Sequence, residues 1–149
     1  MPVTVTSFLG PNIANAAKPT DGVNKYYVIK NKIDFKLRPS IATDIIQALW
    51  IPANTLVYNV AVKVLTAQGA TCTVTVGDGN GANSWDGSSD LNAAANTITC
   101  GAIGTDAYCT AALGPGKPYM AADTIDLVLG HTTDIAVIEV FAFCIDLSG

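Results

Sequence analysis

The sequence predicts an all-β domain, a β-sandwich with a jelly-roll-like arrangement, carrying an extended N-terminal arm. Three observations predict it. Apolar and polar residues alternate with period 2 in several short segments, Gly, Pro and Asn punctuate those segments, and no stretch repeats apolar residues at helical spacing. Alternation is the telling signal because successive side chains of a strand point to opposite faces, so that one face is buried while the other meets water.

The elements follow in chain order. Pro11, Asn12, Pro19, Asp21 and Gly22 resist regular structure, so residues 1–25 are read as the arm. Alternation is clearest over residues 27–38, where Tyr27, Ile29, Ile33, Phe35 and Leu37 are interleaved with Lys30, Lys32, Asp34, Lys36 and Arg38. Ile45 to Ile51 is a mainly apolar run with Trp50 near its end, stopped by Pro52-Ala53-Asn54. Thr43-Asp44 offers a cap for one helical turn, whereas the β-branched pair Ile45-Ile46 favours a strand. From Thr55 to Thr66, Leu56, Tyr58, Val60, Val62 and Val64 oppose Asn59 and Lys63. Gln68-Gly69 then turns the chain into the alternating residues 71–76, and a hairpin between these two strands is the natural pairing.

Residues 78–96 are rich in Gly, Asn, Ser and Asp and read as a long surface loop pinned by Trp85. Short strands are expected at 97–102 and around Tyr119-Met120, separated by Gly114-Pro115-Gly116-Lys117-Pro118, with further strands at 124–129 and 135–147. The last run is apolar on both faces around the charge of Glu139, as befits a central strand in the core or at a subunit contact. The total is seven to nine strands.

At 149 residues the chain is one domain long, from 1 to 149, and can bury a substantial core. Half of its residues are hydrophobic and 13% are charged, which excludes disorder and leaves apolar side chains for a partner. The net charge of −4 divides unevenly. Residues 1–38 hold Lys18, Lys25, Lys30, Lys32, Lys36 and Arg38 against Asp21 and Asp34, whereas beyond them only Lys63 and Lys117 oppose nine aspartates and Glu139. Such a molecule suits an acidic partner or head-to-tail pairing with its own copies. A pI near 4.6 and the lack of an arginine cluster argue against nucleic acid. No secretory signal is read in the opening residues, and no membrane span in the uncharged residues 45–62, which Gln47, Pro52, Asn54 and Asn59 interrupt.

Chemistry-bearing residues are few. His131, the sole histidine, follows Gly130 in a predicted turn and has no nucleophile motif beside it, so no catalytic residues and no cofactor are assigned. Cys72, Cys100, Cys109 and Cys144 lack metal-ligand spacing, and no metal site is assigned. Cys72 and Cys144 fall in apolar strands and read as small hydrophobes; Cys100 and Cys109 bracket eight residues and are a possible disulfide. Asp78, Asn80, Asp86 and Asp90 superficially resemble a calcium loop but lack its twelfth-position Glu and its spacing, and turn formation accounts for them. The bases Lys18, Lys25, Lys30, Lys32, Lys36 and Arg38 are the candidate partner-binding set; the plainer reading is the solvated, aggregation-blocking face of a strand.

The segments VTSFLGPNIANAAKPTDGVNKYYVIKNKIDF, DIIQALWIPANTLVYNVAVKV, VGDGNGANSWDGSSDLNAAANT, YMAADTIDLVL and CIDLSG, which span most of the chain, resemble the small virion proteins of tailed bacteriophages that decorate or cement the capsid. The resemblance implies a β-rich protomer, commonly a homotrimer. It would clamp major capsid protein subunits from the outside of the shell, after assembly in the host cytoplasm. It also implies that the arm serves as a strap and the apolar surplus as the trimer seam. The alternatives are a tail, neck or head-fibre component, or a carbohydrate-binding β-sandwich in which Trp50 and Trp85 stack on sugar. An enzyme is disfavoured for want of paired acids in a suitable context.

Overall fold

The structure is a computed structural model in which residues 5–7, 26–101, 106–109 and 116–148 are described. The strands are β1 (Val5–Ser7), β2 (Tyr26–Asp34), β3 (Ile45–Ile51), β4 (Thr55–Thr66), β5 (Thr73–Asp78), β6 (Gly81–Asp90), β7 (Ile98–Cys100), β8 (Lys117–Tyr119), β9 (Asp123–Leu129) and β10 (Val137–Asp146). A 3-10 turn covers Ala107–Cys109.

Two sheets form. Sheet I has the order β1-β3-β9-β5-β6 and sheet II the order β2-β10-β4-β7, with β8 paired beside β7 along β4. The antiparallel pairs β2·β10, β3·β9, β4·β7 and β5·β6 are nested one inside the next, and apart from the β5–β6 and β7–β8 connections consecutive strands pass between the sheets. This is one long hairpin rolled into two layers, the jelly-roll arrangement. Among the described residues only β1 departs from antiparallel pairing, lying parallel to β3.

Inward side chains follow the alternation read from the sequence, except at the start of β4. Sheet II contributes Ile29, Ile33, Val57, Val60, Val62, Val64, Ile138, Val140 and Ala142, and sheet I contributes Ile46, Leu49, Ile51, Val74, Val76, Ile125, Leu127 and Leu129, all buried. Each such aliphatic side chain stabilises the fold by about 1.5–3 kcal/mol relative to an exposed position. The run 135–147 becomes β10, which lies between β2 and β4 as a central strand.

Five expectations are corrected. The strands at 55–66 and 71–76 do not form a hairpin: β4 belongs to sheet II and β5 to sheet I. Gln68 is not a plain turn residue. Its side-chain oxygen accepts the N–H groups of Asp134, Ile135 and Ala136 at 3.2, 3.0 and 3.0 Å, so this side chain anchors the loop ahead of β10. Residues 78–96 are not one long loop, because β6 occupies Gly81–Asp90 and pairs with β5. On β4, Tyr58 is an extra residue: Phe143 pairs with Asn59 and Cys144 with Val57, so a bulge reverses the alternation and turns Thr55 and Val57 inward in place of Leu56 and Tyr58. Finally, β2 ends at Asp34, and Leu37 is 81% exposed in the turn that follows. Of the arm, Val5–Ser7 forms β1; the rest of residues 1–25 lies outside the described residues.

Candidate interaction surface

With the inward faces consumed by the core, the outward faces hold what remains for function, and the two differ in kind. On sheet II the outward rows are set by register: Ile145 lies between Tyr26 and Leu56, Phe143 between Val28 and Asn59, Phe141 between Lys30 and Ala61, and Glu139 between Lys32 and Lys63. Tyr58 joins this surface at the bulge, its ring centroid 6.2 Å from that of Phe143. Tyr26 and Val28 are 70% and 53% exposed. One end of the face is therefore apolar and aromatic, and the other is lined by Lys30, Lys32 and Lys63 with Glu139 and Asp34. A contiguous exposed apolar patch rimmed by charge marks an interaction surface.

Sheet I turns outward Ile45 with Val128 and Thr75, Gln47 with Asp126 and Gly77, and Trp50 with Thr124. Its strands carry Asp78, Asp86, Asp90, Asp123 and Asp126 and no Lys, Arg or His. Burial, with the nearby charges of Asp123 and Asp78, raises the Asp126 carboxyl above the usual carboxylate range against a hydrogen bond from Thr124. The asymmetry of charge along the chain has become an asymmetry between layers.

The basic set divides. Lys30 and Lys32 lie on the outward face of β2, whereas Lys36 and Arg38 flank Leu37 in the exposed turn after it. That turn is fixed at its root. Asp34 accepts the backbone N–H groups of Lys36 and Leu37, and Ser40 and Thr133 exchange backbone hydrogen bonds of 2.9 and 2.8 Å. Lys18 and Lys25 lie outside the described residues.

The Asp-rich segment serves the fold. Asp78, with a side chain 0% exposed, accepts Lys117 Nζ at 2.6 Å, the Tyr119 hydroxyl at 2.7 Å and the Tyr108 hydroxyl at 3.3 Å. It also accepts the backbone N–H groups of Asn80 and Gly81. Lys117 Nζ lies 4.6 and 4.8 Å from the ring centroids of Tyr108 and Tyr119, and the Trp85 indole N–H donates to the Tyr119 hydroxyl. The cluster joins the end of β5 in sheet I to β8 in sheet II. Burial pushes the Asp78 carboxyl up, but the hydrogen bonds from Lys117, Tyr119 and Asn80 outweigh it and leave its pKa below the usual carboxylate range. For Lys117 burial acts downward, and the bonds to Asp78 and Tyr108 more than reverse it. Burial holds the Tyr119 hydroxyl firmly protonated.

Asp86 accepts the backbone of Ser88 and the hydroxyl of Ser89, and Asp90 the backbone of Asn92, which is the local turn bonding expected of these residues. Among the described residues no group of three or more His, Cys, Asp or Glu is placed to hold a metal ion, and no helix is long and apolar enough to cross a membrane. Trp85 is fully buried, so it offers no platform for a sugar. His131 is exposed in its turn.

All four cysteines are free thiols. Cys100 is exposed, while Cys109 is buried with its Sγ beneath Gly101, where a Cβ would stand 2.7 Å from it. Burial raises the thiols of Cys72 and Cys109 and pushes that of Cys144 up to about 12.

The aromatic outward row of sheet II is the feature that residue-by-residue reading missed; its signal was the final run that is apolar on both faces. No protein-family model matches the chain, and no curated protein matches it. Solved structures do. A chain in the capsid of Ralstonia phage GP4 is 16% identical with a TM-score of 0.60, over 89% of this chain and 92% of that one. A chain in the acidic stable capsid structure of Helicobacter pylori bacteriophage KHP30 is 13% identical with a TM-score of 0.59, over 84% and 90%. A chain in the asymmetric unit of the cyanophage Pam1 capsid is 14% identical with a TM-score of 0.59, over 87% and 91%. At these identities the likeness is one of fold, and it extends over nearly the full length of each pair.

Proposed function

We propose that this chain is a structural protein of a phage virion, a cement or decoration protein that binds the outside of the capsid as a homotrimer and clamps major capsid protein subunits. The observation that carries this reading is the near full-length likeness of fold to chains in three phage capsid structures. The surface chemistry supports it. The turn bearing Lys36, Leu37 and Arg38 is held rigid at its base and presents an apolar tip between two cations, a form suited to an acidic protein surface. Binding only the assembled shell stabilises it by mass action, and many copies act together.

The role involves no reaction and no cofactor. The test is binding of the purified chain to expanded capsids that lack it, followed by electron microscopy of the particles. Saturable binding to the outer surface is expected, weakened at least about tenfold by K36E with R38E and weakened further by salt. Capsids that stay bare, or density confined to the neck or tail, would overturn the reading.

A further inference from the structure

We infer that the outward face of sheet I holds a sugar subsite, in which Trp50 stacks on a neutral pyranose while Asp126 and Gln47 bond its hydroxyls. The inference goes beyond the proposed function and is tested without any capsid. Three observations carry it.

The first is an aromatic platform. The two tryptophans differ: Trp85 is fully buried with its indole N–H bonded to the Tyr119 hydroxyl, whereas Trp50 stands partly exposed on the outward side of β3, paired with Thr124 of β9. Among the described residues the Trp50 indole N–H has no hydrogen-bond partner, and it is not sealed from solvent. Such a ring offers a flat apolar surface and a free donor together.

The second is a pair of unspent polar groups beside it. Gln47 and Asp126 are opposite one another on β3 and β9, with Cβ atoms about 5 Å apart by register, yet they do not bond each other. Among the described residues the Gln47 amide has no partner, and Asp126 uses only Oδ1, which accepts the Thr124 hydroxyl at 2.8 Å. A carboxylate oxygen accepts from hydroxyls, an amide both donates and accepts, and an indole covers the apolar side of a sugar ring. Burial and the charges of Asp123 and Asp78 make Asp126 a costly residue for the fold, as groups at binding sites often are. The same two acids repel an anionic sugar.

The third is shape and place. Gly77 flanks Asp126 on β5, and the register irregularity at the start of β6 folds over it: a Cβ on Gly77 would run into the Gly81 carbonyl oxygen and stand 2.8 Å from Ala82 Cα. The Thr75 hydroxyl holds this overhang by donating to the Ala82 carbonyl at 2.9 Å. The overhang is a wall on one side of Asp126, and Trp50 stands on the other, a diagonal neighbour at about 7 Å, within the span of one sugar ring. Trp50 also lies five residues, roughly 17 Å, along β3 from Ile45, the end nearer the basic turn. A chain seated through Lys36, Leu37 and Arg38 therefore leaves the sugar subsite open.

Saturation-transfer NMR and tryptophan emission test the inference on the full chain, titrated with the methyl glycosides of glucose, galactose, mannose and N-acetylglucosamine, and with glucuronate and glucosamine as charged controls. At least one neutral glycoside is expected to bind with a Kd of about 1–10 mM, the strength of a single small contact surface. Trp50→Ala should abolish that binding, and Asp126→Asn and Gln47→Ala should each weaken it at least about fivefold with an unchanged circular dichroism spectrum. Asp126→Asn is the decisive variant, because relief of its raised carboxyl pKa stabilises the fold and a loss of binding there is not a loss of structure. No saturable binding of any neutral glycoside, binding indifferent to Trp50→Ala and Asp126→Asn, glucuronate held as tightly as the neutral sugars, or glucosamine held alone would each overturn the inference. Failure of the sugar titrations leaves the capsid reading untouched, and bare capsids leave the sugar subsite untouched.

Discussion

Lys117 and Lys32 both stand near a carboxylate, and the contrast between them divides the molecule. Lys117 reaches a fully buried Asp78 at 2.6 Å inside a cage of Tyr108 and Tyr119, where every polar atom of the group is engaged by another element. Lys32 lies across from Glu139 on an open sheet face, one row from Phe141. Enclosed charge holds the two layers of this sandwich in register. Open charge beside an apolar row contributes little to folding and is left for a neighbour. Shielding from solvent, more than the number of ionic residues, separates a structural pair from a recognition surface.

The contrast breaks most severely at Asp78. Asp78→Ala leaves half-buried Lys117 without its anion and strips Tyr119, Asn80 and Gly81 of their acceptor. A loss of about 3 kcal/mol in denaturant unfolding is expected, typical of removing one partner from a buried ion pair. A loss below about 1 kcal/mol would show that the cluster is no more structural than the open face. The pH dependence carries the same information. Asp78 has a folded pKa below its unfolded value, so its contribution is fully present above the unfolded pKa of about 3.9 and disappears as pH falls through the lower folded value. Asp126 runs the other way, its raised folded pKa costing stability above that value and nothing below the unfolded one. Asp78→Asn should flatten the acid limb of the stability curve, and Asp126→Asn should bring a small gain at neutral pH.

Next in size is the apolar side of the enclosure. Gly101 lies against the wall formed by Trp85 and Cys109, and a Cβ there would meet the Trp85 carbonyl oxygen at 2.0 Å and Cys109 Sγ at 2.7 Å. Gly101→Ala is expected to cost about 1–3 kcal/mol by overpacking, read as a lower denaturation midpoint. A neutral result would mean that β7 can move away from β6 without loss, and the enclosure would then be looser than its geometry implies.

How far these regions were legible in the sequence depends on which force decides each. The bounds of β3 and β4 were readable because alternation and turn residues agreed on them, and β10 was recognisable as a central strand from its two apolar faces. Pairing was not readable. Alternation says which side of a strand is buried, but not which sheet the strand joins, so β4 and β5 looked like a hairpin when the chain in fact crosses between layers. β6 was hidden by its composition, since Gly, Ser, Asn and Asp are poor strand formers and become one here through pairing with β5. Of the candidate surface, the lysines were visible as a cluster, but their division between a flat face and a turn was not. The aromatic row appeared only once the bulge at Tyr58 and the register of β10 had set the outward side. The role of Asp78 depends on Lys117, 39 residues away, a distance at which local spacing carries no signal.

Thiol chemistry probes the same boundary without altering the fold. Under native conditions exposed Cys100 should react first with a thiol reagent, while Cys72, Cys109 and Cys144 stay protected by burial and raised pKa until the chain unfolds. Four thiols counted in denaturant would agree with the free cysteines of this structure. A count of two under oxidising conditions, with Cys100 and Cys109 silent, would demonstrate a disulfide between them and require β7 to shift against the 3-10 turn.

The smallest effect sharpens the contrast most. Lys30→Gln together with Lys32→Gln removes two charges from the open face, where both side chains are exposed and the facing groups are Phe141 and Glu139. The change in unfolding free energy should stay within about 0.5 kcal/mol, as it does for surface substitutions away from caps, cavities and buried networks. The double variant should meanwhile lower the salt sensitivity of capsid binding, because a charge at an interface rim acts on encounter and selectivity more than on folding. Were the same variant to lose more than about 1 kcal/mol of stability, Lys32 and Glu139 would hold β2 to β10 much as Lys117 holds β8 to β5. The open face would then be a second structural network with nothing left over for a partner.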